Sequence, residues 1–75
     1  NSAFKEIVLG MVRMGNFDAA LKVAEKIEED AYNRAFAFKE IALGMLKAGM
    51  FEKALETIDA ALKVAEKIED RYKRR

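Results

Sequence analysis

The side chains that could do chemistry are few. The 75-residue chain has no Cys and no His. It therefore lacks a thiolate nucleophile, a disulfide and the commonest metal ligand and general base. Thirteen carboxylates are present. Glu25 with Glu28, and Glu66 with Glu69, have the three-residue spacing of paired helical carboxylates. A di-iron bundle site would need Glu-x-x-His, which the chain cannot supply. Most carboxylates have Lys or Arg three or four residues away, the patterning of a solvated helix face. Ser2 and Thr57 are the only Ser and Thr, and neither has a histidine base. No catalytic, cofactor-binding or metal-binding residues are expected, and the chain is not expected to be an enzyme.

Charge excludes other classes. Lys and Arg number 14 against 13 acids, a net charge of +1, so no strong field draws nucleic acid. Four of the last five residues, Arg71, Lys73, Arg74 and Arg75, are basic, which suits a helix C-terminus. No apolar run approaches the ~20 residues of a membrane span, and no signal-peptide pattern opens the chain. The expected setting is cytoplasmic for a natural chain, or the cytosol of an expression host for an engineered one. The opening Asn1-Ser2, without Met, reads as a fragment, a processed product or an engineered chain trimmed of a tag.

An internal repeat organises the elements. Phe4-Lys5-Glu6-Ile7-Val8-Leu9-Gly10-Met11 returns as Phe38-Lys39-Glu40-Ile41-Ala42-Leu43-Gly44-Met45, with seven of eight positions identical at a spacing of 34. The match continues through Gly15/Gly49, Phe17/Phe51, Ala20/Ala54 and Leu21/Leu55. Such a period belongs to helix-turn-helix solenoid units. A second repetition has another spacing. Leu21 to Glu28 recurs unchanged as Leu62 to Glu69, a spacing of 41, so one heptad of helix separates the two registers.

Apolar residues at Phe51, Ala54, Leu55, Ile58, Ala61, Leu62, Ala65, Ile68 and Tyr72 predict one long amphipathic helix. Phe17, Ala20, Leu21, Ala24 and Ile27 predict a shorter one, opened by Gly15-Asn16 as stop and cap. Four helices are expected, at about 3–14, 17–30, 33–48 and 51–73. The break near Asp30 to Asn33 rests on the repeat, because the apolar stripe runs through it in phase. Met11 and Met45 lie on the main stripe as core filler, with Met14 and Met50 near helix ends.

Phe4, Ile7 and Val8, then Gly15, Phe17 and Ala20, with their counterparts Phe38, Ile41, Ala42, Gly49, Phe51 and Ala54, resemble the tetratricopeptide pattern. Ile58 and Ala61 follow it, Ala24 and Ile27 reverse its order, and Tyr32 stands where the family places Pro. The resemblance implies an all-α fold of two antiparallel hairpins with an overlong last helix. It gives one domain over 1–75, with units at about 3–36 and 37–75. It also implies a non-catalytic scaffold that binds a peptide or protein in a groove lined by the first and third helices. The groove would hold Lys5, Leu9, Val12, Phe36, Lys39, Leu43, Leu46 and Lys47. Leu9 and Glu40 replace the Asn residues of the family's carboxylate clamp, so that mode is not expected.

Phe36, Leu43, Leu46 and Met50 form a second apolar stripe on the third helix, with Leu9 and Val12 on the first. A helix apolar on two faces is normally buried on two. The last helix folding across, a second copy of the chain, or a peptide would each cover them. Leu62, Ala65, Ile68 and Tyr72 on the extended last helix are the candidate association surface of a homo-oligomer. The unchanged eight-residue duplicate and the heptad-sized extension give the chain the texture of an engineered or de novo designed helical protein. A natural fragment with a peptide groove is the alternative.

Overall fold

The computed structural model describes residues 2–27 and 30–73, and the side chains of 3–27 and 30–70. These residues form an all-α fold of four helices: α1 (Ser2–Arg13), α2 (Phe17–Glu25), α3 (Ala31–Lys47) and α4 (Phe51–Lys73). Two of the three connections are built identically. After α1, Gly15 takes φ +75°, its N–H donates to Val12 O, and the Asn16 N–H donates to Met11 O. After α3, Gly49 takes φ +80°, and the same two bonds run from Gly49 to Leu46 O and from Met50 to Met45 O. This 6→1 and 5→2 pair is the Schellman motif, and the left-handed residue it needs is why Gly stands there. Asn16 then caps α2, accepting from the Ala19 N–H at 3.4 Å. The Met50 thioether offers α4 no comparable acceptor.

The middle connection differs. α2 ends at Glu25, where Lys26 and Ile27 tighten onto the Val23 and Ala24 carbonyls. The expectation of helix to residue 30 is too long, and no glycine marks the stop. The expected break is present, and α3 starts two residues earlier than expected. Asp30 caps it by accepting the Asn33 N–H at 3.1 Å, while the Asn33 side-chain amide donates to the other carboxylate oxygen at 2.8 Å. Both bonds are donated by Asn33 to the one carboxylate, and this cap lets Asp30 open a helix where the apolar stripe alone gives no sign of a break.

α1 pairs with α2 and α3 pairs with α4 as two hairpins, and α3 also packs on α1 and α2. Among the described residues α4 meets α3 alone. The fold is therefore an open stack, 41 × 26 × 14 Å, and α4 does not fold across the first helix. The core is Val8, Ala20, Ala24, Ile27, Ala37, Phe38, Ile41, Met45, Ala54 and Val64. Ile41 is fully buried at its centre. Small Ala20, Ala37 and Ala54 let the helices approach closely, and Met45 fills what they leave. None of the six leucines is buried, and four of them are exposed.

The stripe expected on α4 divides in two. Ala54, Thr57, Val64 and Ile68 turn towards α3 and the core, whereas Phe51, Leu55, Leu62 and Ala65 face outward. Thr57 and Val64, outside the expected stripe, belong to the inner line. The Thr57 hydroxyl is buried, donates to Lys53 O at 2.8 Å and lies 3.4 Å from Met45 Sδ. It helps to pack the hairpin. Met14 is exposed rather than core.

Candidate functional site

Three surface features are built by these helices. The first is on the face shared by α1 and α3. Lys5 Nζ lies 4.6 Å from the centre of the Phe36 ring, and Lys39 Nζ lies 4.5 Å from it. Two ammonium groups thus lie close to one aromatic ring, within range of cation–π attraction. Lys39 also pairs with Glu40 at 3.1 Å. Of the eight groove residues expected from the sequence, Lys5, Phe36 and Lys39 come together here. Val12 instead turns into the contact between hairpins, beside Gly44. Leu43, Leu46 and Lys47 are exposed on α3, and Leu9 is half-buried.

The second is a cleft of about 590 Å³ between α2 and α4, floored by α3. Leu21 and Glu25 form one wall, Val64, Lys67 and Ile68 the other. Arg34 lies in it with its guanidinium 5.7 Å from the Phe38 ring centre and its Nε buried without a hydrogen-bond partner. Sequence reasoning did not find this cleft. It exists because α2 stops at Glu25 while α4 runs on, and nothing in the apolar period announces that difference.

The third is the outer end of the second hairpin. Leu43 and Leu46 on α3, and Phe51, Leu55 and Leu62 on α4, are all exposed, Phe51 at 63% and Leu55 at 65%. Large apolar side chains exposed in such number on one hairpin of so small a chain are unusual for a free surface. Their repeat partners explain them. Leu9, Val12, Phe17 and Leu21 occupy the positions of Leu43, Leu46, Phe51 and Leu55 in the first hairpin and are half-buried, and the second hairpin packs beside Val12 and Phe17 at Gly44. Nothing among the described residues packs beside the second hairpin on that side. The sequence held the needed signal, since Phe51 and Leu55 match Phe17 and Leu21, but a stripe reading places them inside.

The expected association residues are divided by the structure. Leu62 and Ala65 are exposed on the outer line, and Ile68 is half-buried against the core. The Tyr72 side chain lies outside those described. The heptad spacing does keep Leu62 on the face of Leu55, but among the described residues α2 packs on both α1 and α3 whereas α4 packs on α3 alone. Asp59 and Lys63, one of the carboxylate–cation spacings of four residues in the sequence, pair at 3.2 Å between exposed groups. Glu69–Lys73 and Asp70–Arg74 involve side chains outside those described.

Among the described residues no group of three or more His, Cys, Asp or Glu is placed to hold a metal, and no helix is long and apolar enough to cross a membrane. Protein-family models, curated proteins and solved structures were all compared with the chain, and none matches.

Proposed function

We propose that the chain is a tetratricopeptide-like, non-catalytic scaffold that works by association, and that its origin is engineered or de novo. The observation that carries this is the end face of the second hairpin. Leu43, Leu46, Phe51 and Leu55 stay exposed while the matching first-hairpin residues Leu9, Val12, Phe17 and Leu21 are partly covered. Burying a leucine or phenylalanine contributes ~1.5–3 kcal/mol, so several together can offset much of the cost of association. The engineered origin is supported by the duplicated segment. Leu21 to Ile27 spans the end of α2 and the residues after it, with Ala24 and Ile27 buried, whereas its copy Leu62 to Ile68 lies wholly within α4, with Val64 buried.

Light scattering behind size exclusion, from micromolar to near-millimolar chain, tests the reading. The molar mass should rise with concentration above the 8.5 kDa of one chain. A constant single-chain mass at every concentration sinks it. The second reading, a peptide groove, is favoured by the Lys5–Phe36–Lys39 cluster alone. Two ammonium groups around an aromatic ring suit an acidic peptide. Titration with a labelled poly-glutamate peptide should then show saturable binding that Lys5→Glu abolishes. Absence of saturation removes this reading.

A further inference from the structure

The repeat lets the contact between the two hairpins be read twice, once where it is made and once where its halves are uncovered. Three residues of α3 take part on one side: Ala37, Ile41 and Gly44. Ala37 and Ile41 are fully buried. Gly44 is there because nothing larger fits. A methyl group on it would stand 2.5 Å from Val12 Cγ1 and 3.0 Å from Phe17 Cε1. Val12 and Phe17, with Leu21 close by, form the other side. One hairpin presents an apolar edge from its helix ends, and the next seats a glycine-centred helix face on it.

Each half has an exposed equivalent one repeat period away. Ala3, Ile7 and Gly10 match Ala37, Ile41 and Gly44. Ala3 is exposed, Ile7 is 47% exposed, and a methyl group on Gly10 would meet no atom within 4 Å. Leu46, Phe51 and Leu55 match Val12, Phe17 and Leu21, and all three are exposed. By contrast, two pairs that pack within a hairpin do not change. Ala20 and Ala54 are both fully buried, as are Val8 and, nearly, Ala42.

We propose that copies of this chain stack head to tail, with Ala3, Ile7 and Gly10 of one copy seated on Leu46, Phe51 and Leu55 of the next. The proposal rests on the association reading above and names its occupant and geometry. Both halves of an interface the molecule already makes are present and uncovered on each copy, so the surface best matched to each is another copy's. The contact is heterologous: each copy uses one face and offers a different one. Such a contact does not close on itself unless the rotation happens to do so, and it propagates. The array it generates continues the stack of hairpins as a solenoid.

The test uses the full chain and three variants. Gly10→Glu fills the open space at the head, where there is room for the monomer to fold. The double variant Leu46→Glu/Phe51→Glu charges the tail at exposed positions. Leu62→Glu charges the outer line of α4 beyond the proposed contact. Circular dichroism melts establish that each folds, and light scattering gives molar mass over the same concentration range. The expected result is that the parent and Leu62→Glu climb past twice the single-chain mass, and that both other variants stay at that mass when alone. An equimolar mixture of Gly10→Glu with the double variant should then form dimers and stop there. That follows because one has only a tail and the other only a head.

If Gly10→Glu alone still associates as the parent does, the contact joins tail to tail; stacking is overturned while association stands. If only Leu62→Glu loses association, the α4 flank is the contact, and stacking is again overturned. If the parent is a monomer throughout, both readings fall together. Should the double variant not fold, Gly10→Glu by itself decides, since the proposal requires it to remain monomeric where the parent does not.

Discussion

Gly10 and Gly44 occupy one position of the repeat, yet they should answer oppositely to a methyl group. Gly44→Ala places Cβ against Val12, whose β-branched side chain has few rotamers with which to give way, and against the Phe17 ring. Overpacking of this kind costs ~1–3 kcal/mol. Gly10→Ala meets nothing and removes the backbone freedom of a mid-helix glycine, which should stabilise the fold by ~0.5–1 kcal/mol. Urea denaturation of the two variants at low chain concentration checks the pair. Equal shifts in the same direction would mean that the hairpins do not meet at Gly44. The identity of these glycines was plain in the sequence, and so was their place in the repeat. What separates them is whether a second hairpin lies alongside, which depends on assembly and not on local residue type.

Asp30 shows how one element boundary is set by a side chain rather than by the hydrophobic period. The Asn33 backbone N–H holds its carboxyl below the ordinary value, and partial desolvation opposes this. A carboxyl whose folded pKa is depressed stabilises the fold fully above its unfolded pKa, about 3.9, and loses that contribution as pH falls through the folded value. Asp30→Asn keeps an N-cap acceptor and removes the titration. The parent should therefore lose stability below about pH 4 relative to Asp30→Asn, as followed by melting temperature against pH. Parallel profiles would show that the carboxylate does not carry the cap. The helices themselves were largely legible. Gly15 and Gly49 mark two stops and the 3.6-residue period marks the bodies. The end of α2 was not legible, because it has no glycine and its stripe continues towards Ala31 and Phe38. The face of α4 was misread for a similar reason. Phe51, Leu55 and Leu62 have the spacing of a core stripe and lie on the outside, while Thr57 and Val64 lie within.

At the scale of the whole molecule, α3 is the keystone, since it alone touches the other three helices. Ile41, fully buried at its middle, should be the most costly aliphatic to truncate. Ile41→Ala is expected to cost ~2–5 kcal/mol, and the loss should fall on both hairpins together. Helical content by circular dichroism and amide exchange in α1 should report one transition. Separate loss of the α3–α4 hairpin with α1 and α2 intact would contradict that. The candidate surface was legible only in part. Lys5, Phe36 and Lys39 are grouped by the tetratricopeptide resemblance, but the cleft at Arg34 depends on the unequal lengths of α2 and α4. The two Schellman turns carry one last consequence, for chain length. Residues 16–49 run from just after one such turn to the other, and both turns make the same two backbone bonds. A further copy of that segment inserted after Gly49 would enter and leave through turns the molecule already forms. It would lay its Gly44 against the existing Leu46 and its own Phe17. Length can thus be added in whole periods without inventing a new junction, and every added period turns exposed leucine into interior.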